Sequence, residues 1–259
     1  MSAMAAGRIN PRSNARNDAR DVLRCHGRTF FVASHLLARV HASRAATLYA
    51  FCRHVDDLAD DAPDAQAARC ALAAVSRALI DGRANDPWTA ALLALQAQTG
   101  MLLAPARALV AGVASDLDPV RIADEEQLLR YAFGVAGTVG LMMCAVLDVR
   151  DPRAAPFAID LGIAMQLTNI ARDVGDDARM DRRYLPATWV GDIAPTAIAA
   201  PDAALQAVLR AATRRLLALA ERYYASGEAG LGFLPVRARV AILAAARMYR
   251  AIGRRIVSR

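Results

Sequence analysis

Two short segments of this chain concentrate oxygen-bearing side chains at helical spacing. The first runs from Tyr49 to Asp61 and reads Tyr-Ala-Phe-Cys-Arg-His-Val-Asp-Asp-Leu-Ala-Asp-Asp, which places four aspartates within six residues. On a helix, Asp56 and Asp60 share a face because they are four residues apart, and Asp57 and Asp61 form a second pair beside them. Like charges at this spacing repel each other and destabilise a helix. A hard divalent cation with oxygen ligands is the natural compensation.

The second segment is Gln166-Leu-Thr-Asn-Ile-Ala-Arg-Asp-Val-Gly-Asp-Asp177. Within it, Gln166, Asn169, Asp173 and Asp177 follow one another at steps of three, four and four, so they form a single helical stripe of oxygen donors. Such a stripe inside an apolar helix is costly to bury without partners. Two clusters of this kind on facing helices would form a cage for several Mg²⁺ ions and a diphosphate.

The residues before the first aspartate pair extend the same helical face. Tyr49, Arg53, Asp56 and Asp60 step by four, three and four, so a phenol, a guanidinium and two carboxylates point the same way. The alternative interpretation is a solvated face with an internal ion pair between Arg53 and Asp57. For the second segment, the alternative is a set of buried polar residues that only hydrogen-bond to one another. The apolar flank of the first segment favours a buried helix and therefore a functional site.

Composition places the chain among helical proteins. Of 259 residues, 56% are hydrophobic and only 5% aromatic, and alanine and leucine dominate. This mixture favours helix over strand, and the length is sufficient for one large domain. The net charge of +7 comes from arginine alone, since the chain contains no lysine. No zinc-finger spacing, RNP-like aromatic motif or compact basic run is present, so nucleic acid is not an expected partner. The four scattered cysteines indicate reduced thiols in a cytosolic protein.

Hydrophobic periodicity predicts a single all-α domain without internal repeats. Residues 1–17 are predicted to be a disordered lead-in, and the longest uncharged stretch, 131–147, is too short to span a membrane and is predicted to be a buried core helix. Glycines at 137 and 140 would give that helix a flat face for a long apolar chain or another helix, and Gly162 and Gly175 would allow close approach of a neighbour or a ligand to the second acidic segment. Helices are predicted near 18–38, 43–61, 64–81, 87–98, 104–116, 124–147, 154–177, 201–225 and 235–256.

Three ordered segments resemble the squalene/phytoene synthase family, and most of all its bacterial phytoene synthase and dehydrosqualene synthase members. They are Tyr49–Asp60, Val135–Met143 and Gln166–Pro186. The likeness extends from about His26 to Tyr249. It implies an isoprenoid synthase domain over 18–259, in which a helical bundle surrounds a central cavity. It also implies a prenyltransferase that condenses two prenyl diphosphates head to head with Mg²⁺ or Mn²⁺.

The resemblance further implies roles for individual residues. The metal ligands would be Asp56, Asp60, Asn169, Asp173 and Asp177, and the four aspartates would act in catalysis together with Arg53. Diphosphate or substrate would be held by His26, Arg28, Thr29, Tyr49, Arg53, Gln166 and Arg172. The prenyl channel would be lined by Phe30, Tyr131, Val135 and Gly140 and closed by Tyr249.

The activity that this likeness favours is the formation of phytoene from two geranylgeranyl diphosphates, without NADPH. Two alternatives stay open: the same chemistry on two farnesyl diphosphates, giving presqualene diphosphate, dehydrosqualene or squalene, and a non-catalytic subunit that binds prenyl diphosphates. The water-insoluble product implies peripheral membrane contact, with a cytoplasmic location on the inner face of the membrane and association with a downstream desaturase.

Two departures from the family pattern stand out. The family often has serine after the motif histidine, where this chain has Gly27, so one hydroxyl contact is missing. Relatives also continue for some tens of residues beyond the helix of Tyr249 with a basic tail that helps to bind diphosphate. We therefore expect either that Arg254, Arg255 and Arg259 replace that tail or that the sequence is truncated.

Overall fold

The chain folds into α-helices joined by short turns. The computed structural model describes the backbone of residues 11–257 and the side chains of residues 19–257. Over that part of the chain there is no β-strand, and the one extended pairing is an isolated parallel bridge between Arg121 and Arg183. The all-α prediction is confirmed. The helices are α1 (Pro11–His26), α2 (Arg28–Ser34), α3 (Arg39–Asp60), α4 (Ala65–Asp81), α5 (Pro87–Thr99), α6 (Ala104–Ser115), α7 (Glu125–Ala132), α8 (Thr138–Val146), α9 (Ala155–Arg179), α10 (Ala187–Val190), α11 (Pro195–Ala199), α12 (Ala203–Ala229) and α13 (Val236–Val257).

Local capping explains where several helices begin and end. The aspartates at 64, 86, 124 and 202 stand immediately before α4, α5, α7 and α12, and each side chain accepts a hydrogen bond from the backbone N–H three residues later. Such caps satisfy amide groups that have no partner within the helix. Gly82 and Gly100 end α4 and α5 in the left-handed conformation, with φ of 68° and 70°, which glycine adopts without strain.

The structure corrects the predicted boundaries in four places. The helix predicted over 18–38 is divided at Gly27, and the one over 124–147 contains a π-helical turn, Phe133–Gly137. The connection after residue 185 carries two short helices, α10 and α11. The first helix begins at Pro11, so the predicted lead-in overlaps it; proline at the first helical position suits a helix start. The rest of that lead-in, 1–10, lies outside the described residues.

Helix α9 is the central element, and it packs against α12, α8, α13 and the π turn. Two glycines make the closest of these contacts possible. A Cβ at Gly140 would lie 2.1 Å from the carbonyl oxygen of Ala158, and a Cβ at Gly162 would lie 2.3 Å from that of Ala136. The helix backbones therefore touch directly, as the sequence predicted for these glycines.

The stretches Glu125–Val146 and Pro152–Arg179 are long and apolar enough to cross a membrane by length and composition. Both belong to the helical bundle, where α8 packs on α9. Residues of both stretches also line an internal cavity. The prediction that 131–147 is too short to span a membrane does not hold for the longer stretch that contains nearly all of it, and most residues of that stretch are partly rather than fully buried.

Candidate active site

An apolar cavity of ≈ 310 Å³ lies between α2, α3, α8, α9 and α13. On α9 its wall extends from Phe157 to Asn169, and twelve residues of helix correspond to roughly 18 Å. The wall is hydrophobic except near Gln166 and Asn169, which precede the aspartates of the same helix. The cavity is thus an apolar tunnel with one polar end.

The cavity wall includes six of the twelve residues for which the sequence predicted substrate contact, together with Asn169, a predicted metal ligand. Phe30 lies between two tyrosines, with ring centroids 6.1 Å from Tyr49 and 5.3 Å from Tyr249. These three aromatic side chains come from α2, α3 and α13 and form one side of the polar end. The predicted residues that line the cavity are Phe30, Tyr49, Val135, Gly140, Gln166, Asn169 and Tyr249.

On α3, the acidic residues of the first segment separate into different roles. Asp57 forms an ion pair with Arg53 at 2.5 Å, and Asp61 is exposed. Burial raises the pKa of Asp56 to about 7; Arg53 opposes this shift, while the neighbouring carboxylates, first that of Asp60, add to it. Asp56 is therefore a desolvated carboxylate with a strong demand for a cation.

On α9, the second stripe also contains a desolvated carboxylate that a cation would stabilise. Burial, together with the charge of Asp173, raises the pKa of Asp177 to about 7. Asp173 itself is held by Arg172 through two hydrogen bonds of 2.7 and 2.6 Å. The amide nitrogen of Asn169 donates to Gln166, whereas its buried side-chain oxygen has no hydrogen-bond partner. That oxygen is free to accept a ligand.

A third carboxylate, which the sequence did not single out, lies between the two stripes. Asp116, just after α6, accepts a hydrogen bond of 2.8 Å from the hydroxyl of Tyr131, which also contacts the hydroxyl of Tyr184 at 3.2 Å. Burial raises the pKa of Asp116. Its charge in turn adds to the raised pKa values of Asp56 and Asp177. The acidic end of the cavity is thus assembled from three elements.

Tyr131 is placed differently from the expectation that it lines the prenyl channel. It does not belong to the cavity wall; instead its ring packs on that of Tyr184, with centroids 4.8 Å apart. The π turn that follows Tyr131 carries Val135 to the cavity, so the two residues face different surroundings. Tyr131 accordingly supports the carboxylate of Asp116 rather than a prenyl chain.

The arginines at the end of α9 and just after it have different surroundings. Arg182 lies 3.6 Å from Asp60 and connects the end of α3 with the end of α9. Arg179 forms an ion pair with Asp176 at the surface. Arg183 is buried and donates to the carbonyls of Ile122 and Leu185 and to Asp192, so it holds the loop together. Of the three, Arg182 is the one positioned near the predicted metal ligands.

The predicted diphosphate contacts at His26, Arg28 and Thr29 fall on the junction between α1 and α2 rather than on the cavity wall. Gly27 brings this junction against Tyr49, because a Cβ at Gly27 would lie 2.8 Å from that ring. The glycine that replaces the family serine therefore fits a close contact with Tyr49. His26 and Arg28 are exposed, next to the polar end of the cavity where Tyr49 lies.

The donor set at the polar end fits Mg²⁺ in the presence of a phosphate ligand. In residues 19–257 no group of three or more His, Cys, Asp and Glu side chains is arranged to hold a metal by itself. The cage expected from the sequence is therefore incomplete as a protein-only site. Mg²⁺ in phosphate-transferring sites is bound by one or two carboxylates together with substrate oxygens. The desolvated carboxylates and the unpartnered oxygen of Asn169 suit that mode of binding.

Asp56→Asn is expected to stabilise the metal-free protein at pH 8 and to change its stability little at about pH 4. The pKa of Asp56 in the folded protein, about 7, lies above its ordinary value of 3.8. Its stabilising contribution is therefore fully present only below the ordinary pKa of 3.8, falls as the pH rises between 3.8 and about 7, and is lost above that. Asparagine carries no charge that burial could penalise. Melting temperatures in EDTA at the two pH values test this; an equal loss of stability at both would contradict it.

Comparison of the sequence with known proteins shows to which family this chain belongs. The profile described as squalene/phytoene synthase matches residues 23–259, which is most of the chain. The chain belongs to the squalene/phytoene synthase family. Among relatives, the 15-cis-phytoene synthase of Enterobacter agglomerans is 38% identical over 241 residues, covering 89% of this chain and 82% of that protein. The 15-cis-phytoene synthase of a Paracoccus species is 40% identical, covering 88% and 77%.

Solved structures of family members share the fold. A dehydrosqualene synthase in complex with ligand superposes with a TM-score of 0.82 at 31% identity, covering 92% of this chain and 84% of that one. Squalene synthase HpnC from Alicyclobacillus acidocaldarius superposes with a TM-score of 0.81 at 24% identity, covering 94% and 93%. The isoprenoid synthase helical fold expected from the sequence is confirmed, and so is membership of a family of prenyltransferases.

Proposed function

We propose that this squalene/phytoene synthase family member condenses two molecules of geranylgeranyl diphosphate head to head (1′–1) to phytoene, a step of carotenoid biosynthesis. The observation that carries the proposal is the polarity of the cavity. Carboxylates from α3 and α9, each influenced by the charge of Asp116, follow the residues that form the polar end of an apolar cavity. A prenyl diphosphate has the same division, with an anionic head and a long apolar chain. The phytoene synthases of Enterobacter agglomerans and Paracoccus support this choice of substrate.

The polar end would bind the diphosphate through Mg²⁺, or Mn²⁺, and through arginine. When bound, the metal stabilises the negative charge that develops on the departing diphosphate. Arg53 and Arg172 are oriented by Asp57 and Asp173, so each guanidinium group is held beside one of the two acidic segments. Guanidinium forks suit phosphate oxygens. The proposed metal ligands are Asp56, Asp60, Asn169, Asp173 and Asp177.

The carbon chemistry takes place in the apolar part of the cavity. Loss of the first diphosphate leaves an allylic cation, which the double bond of the second substrate attacks; loss of a proton then closes a cyclopropane ring and gives prephytoene diphosphate. Loss of the second diphosphate, rearrangement and loss of another proton give phytoene. The hydrophobic wall excludes the water that would capture these cations. Released diphosphate can accept the protons, so no dedicated base and no NADPH is required.

The decisive experiment is product analysis with purified protein. We expect labelled geranylgeranyl diphosphate and Mg²⁺ to give phytoene, and EDTA to abolish its formation. Farnesyl diphosphate in a parallel reaction distinguishes the C15 alternative, since conversion of that substrate alone would identify presqualene-type chemistry. Binding of either diphosphate analogue without any hydrocarbon product would instead support the non-catalytic subunit and overturn the proposal.

We further propose that the protein works in the cytoplasm on the inner face of the membrane, next to the desaturase that consumes phytoene. A C40 hydrocarbon has no polar group and cannot leave the cavity as a dissolved product at useful concentration. Transfer from the cavity into a bilayer avoids that barrier.

A further inference from the structure

Two segments of the chain carry positive charge without any carboxylate. Residues 22–55 include five arginines and residues 229–259 include seven, and neither segment has an aspartate or glutamate. The first segment forms α2 and most of α3, and the second forms α13. This separation of charge is local, because the chain as a whole has 32 basic and 25 acidic residues.

The fold brings these two segments together and leaves apolar side chains on their outer side. Helices α2 and α13 pack on each other, and Leu37 belongs to the same buried cluster as Ala238 and Ala241. On either side of those buried residues, large aliphatic side chains face solvent. We name them the apolar rim: Val32 (58% exposed), Leu36 (43%), Val40 (51%), Val236 (72%) and Val240 (50%).

The apolar rim lies directly over the cavity. Leu36 is exposed while the next residue, Leu37, lines the cavity. On α13, Val240 is exposed while Ala241 and Ile242 line the cavity. A single layer of residues therefore separates the rim from the apolar tunnel, on the part of α13 that precedes Tyr249 at the polar end.

The charges around the rim have a positive balance. The nearby carboxylate of Asp148 forms an ion pair with Arg44 and a hydrogen bond with His41, each at 2.9 Å. Three exposed arginines, Arg39, Arg237 and Arg239, stand beside rim residues in the sequence. Arg239 also donates to the carbonyls of Gly232 and Leu234, which steadies the turn before α13.

We propose that the apolar rim and its arginines form the surface by which this protein docks on an anionic bilayer, so that the hydrocarbon end of the cavity faces the lipid. Aliphatic side chains among cationic ones suit the boundary between acyl chains and anionic headgroups. The inference that the hydrocarbon product passes from the cavity into the bilayer rests on the proposed function. Docking on the bilayer does not require catalytic turnover, so vesicle binding and turnover are measured separately.

The test is co-sedimentation of the full chain with vesicles of equal parts phosphatidylglycerol and phosphatidylcholine, and with vesicles of phosphatidylcholine alone. We expect binding to the anionic vesicles that weakens with salt. The double variant Val236→Asp/Val240→Asp should lose at least roughly tenfold in partitioning. Arg39→Gln/Arg237→Gln should lose roughly 30-fold at low salt, since one arginine near such a surface accounts for about fivefold.

Matched controls remove the same groups from other faces of the protein. Val208→Asp/Ile80→Asp and Arg77→Gln/Arg107→Gln change exposed residues on α4, α6 and α12, and both pairs should bind vesicles like the wild type. The proposal is overturned if the rim and control variants lose vesicle binding equally, or if neither loses it. It is also overturned if the rim variants bind vesicles normally and lose only the ability of the protein to associate with itself in the absence of vesicles. Turnover of geranylgeranyl diphosphate in detergent micelles checks that the rim variants remain folded. If the wild type forms no product there, that result contradicts the proposed function and not the docking surface.

Discussion

Replacing Asp56 or Asp173 with asparagine is expected to lower kcat by about a thousandfold or more while leaving the protein folded. Both side chains lie at the polar end of the cavity, one on α3 and one on α9, where charge develops on the departing diphosphate. Removing one preorganised stabilising group from a site of this kind costs about 10²–10³ in kcat, and a lost metal ligand adds to that cost. Phytoene formation at saturating geranylgeranyl diphosphate and Mg²⁺ measures the effect.

The same substitution at neighbouring aspartates provides the control. Asp61 and Asp176 belong to the same two acidic segments, but they are exposed, and neither is a proposed metal ligand. Asp61→Asn and Asp176→Asn should retain wild-type turnover. Activity that survives Asp56→Asn or Asp173→Asn would show the metal assignment to be wrong.

Gly162→Ala is expected to lower the free energy of unfolding by about 3 kcal/mol or to prevent folding. The new Cβ would lie 2.3 Å from the carbonyl oxygen of Ala136, an atom of the π turn that cannot rotate away as a side chain would. Helix α9 must therefore move away from the π turn, which disturbs the packing around the cavity. Overpacking of this kind typically costs about 1–3 kcal/mol and occasionally more. Urea unfolding followed by circular dichroism gives the value.

A second glycine of the same helix serves as the reference. At Gly175 the nearest atom to a new Cβ is the end of the Arg179 side chain, 4.0 Å away. Gly175→Ala should therefore raise stability by up to about 1 kcal/mol, because alanine has the higher helix propensity. Equal effects at the two positions would mean that the contact between α9 and the π turn is not the reason for glycine at 162.

Most of the fold could be predicted because its signals are local. Apolar spacing along the chain is typical of helices, and the aspartate and glycine caps act on backbone groups only three or four residues away. The errors arose where a local pattern was interrupted by contact with a distant segment. The break at Gly27 brings the chain against Tyr49, and the π turn at Phe133–Gly137 lies against α9, so neither interruption is visible from periodicity alone.

The candidate site was predictable to the extent that its residues repeat on one helix face. Asp56 with Asp60, and Asp173 with Asp177, follow the period of the helix, and the structure places Asp56 and Asp177 in desolvated surroundings. Asp116 was missed because it follows a helix with only Asp118 nearby, and such a pair is common at surfaces. The signal that could have suggested it is its position after the apolar helix α6, as in the other two acidic segments.

The sequence by itself determined which side chains share a helix face, where glycine permits close contact, and which segments lack carboxylates, since these depend on covalent order and helical geometry. The tertiary structure decided which of the faces meet. It placed Asp116 between the two aspartate stripes and moved Tyr131 from the channel to that carboxylate. It also buried Arg183 in a loop and left the apolar rim exposed over the cavity. Such outcomes depend on packing between segments far apart in the chain, where burial rather than spacing sets the energy of a charge.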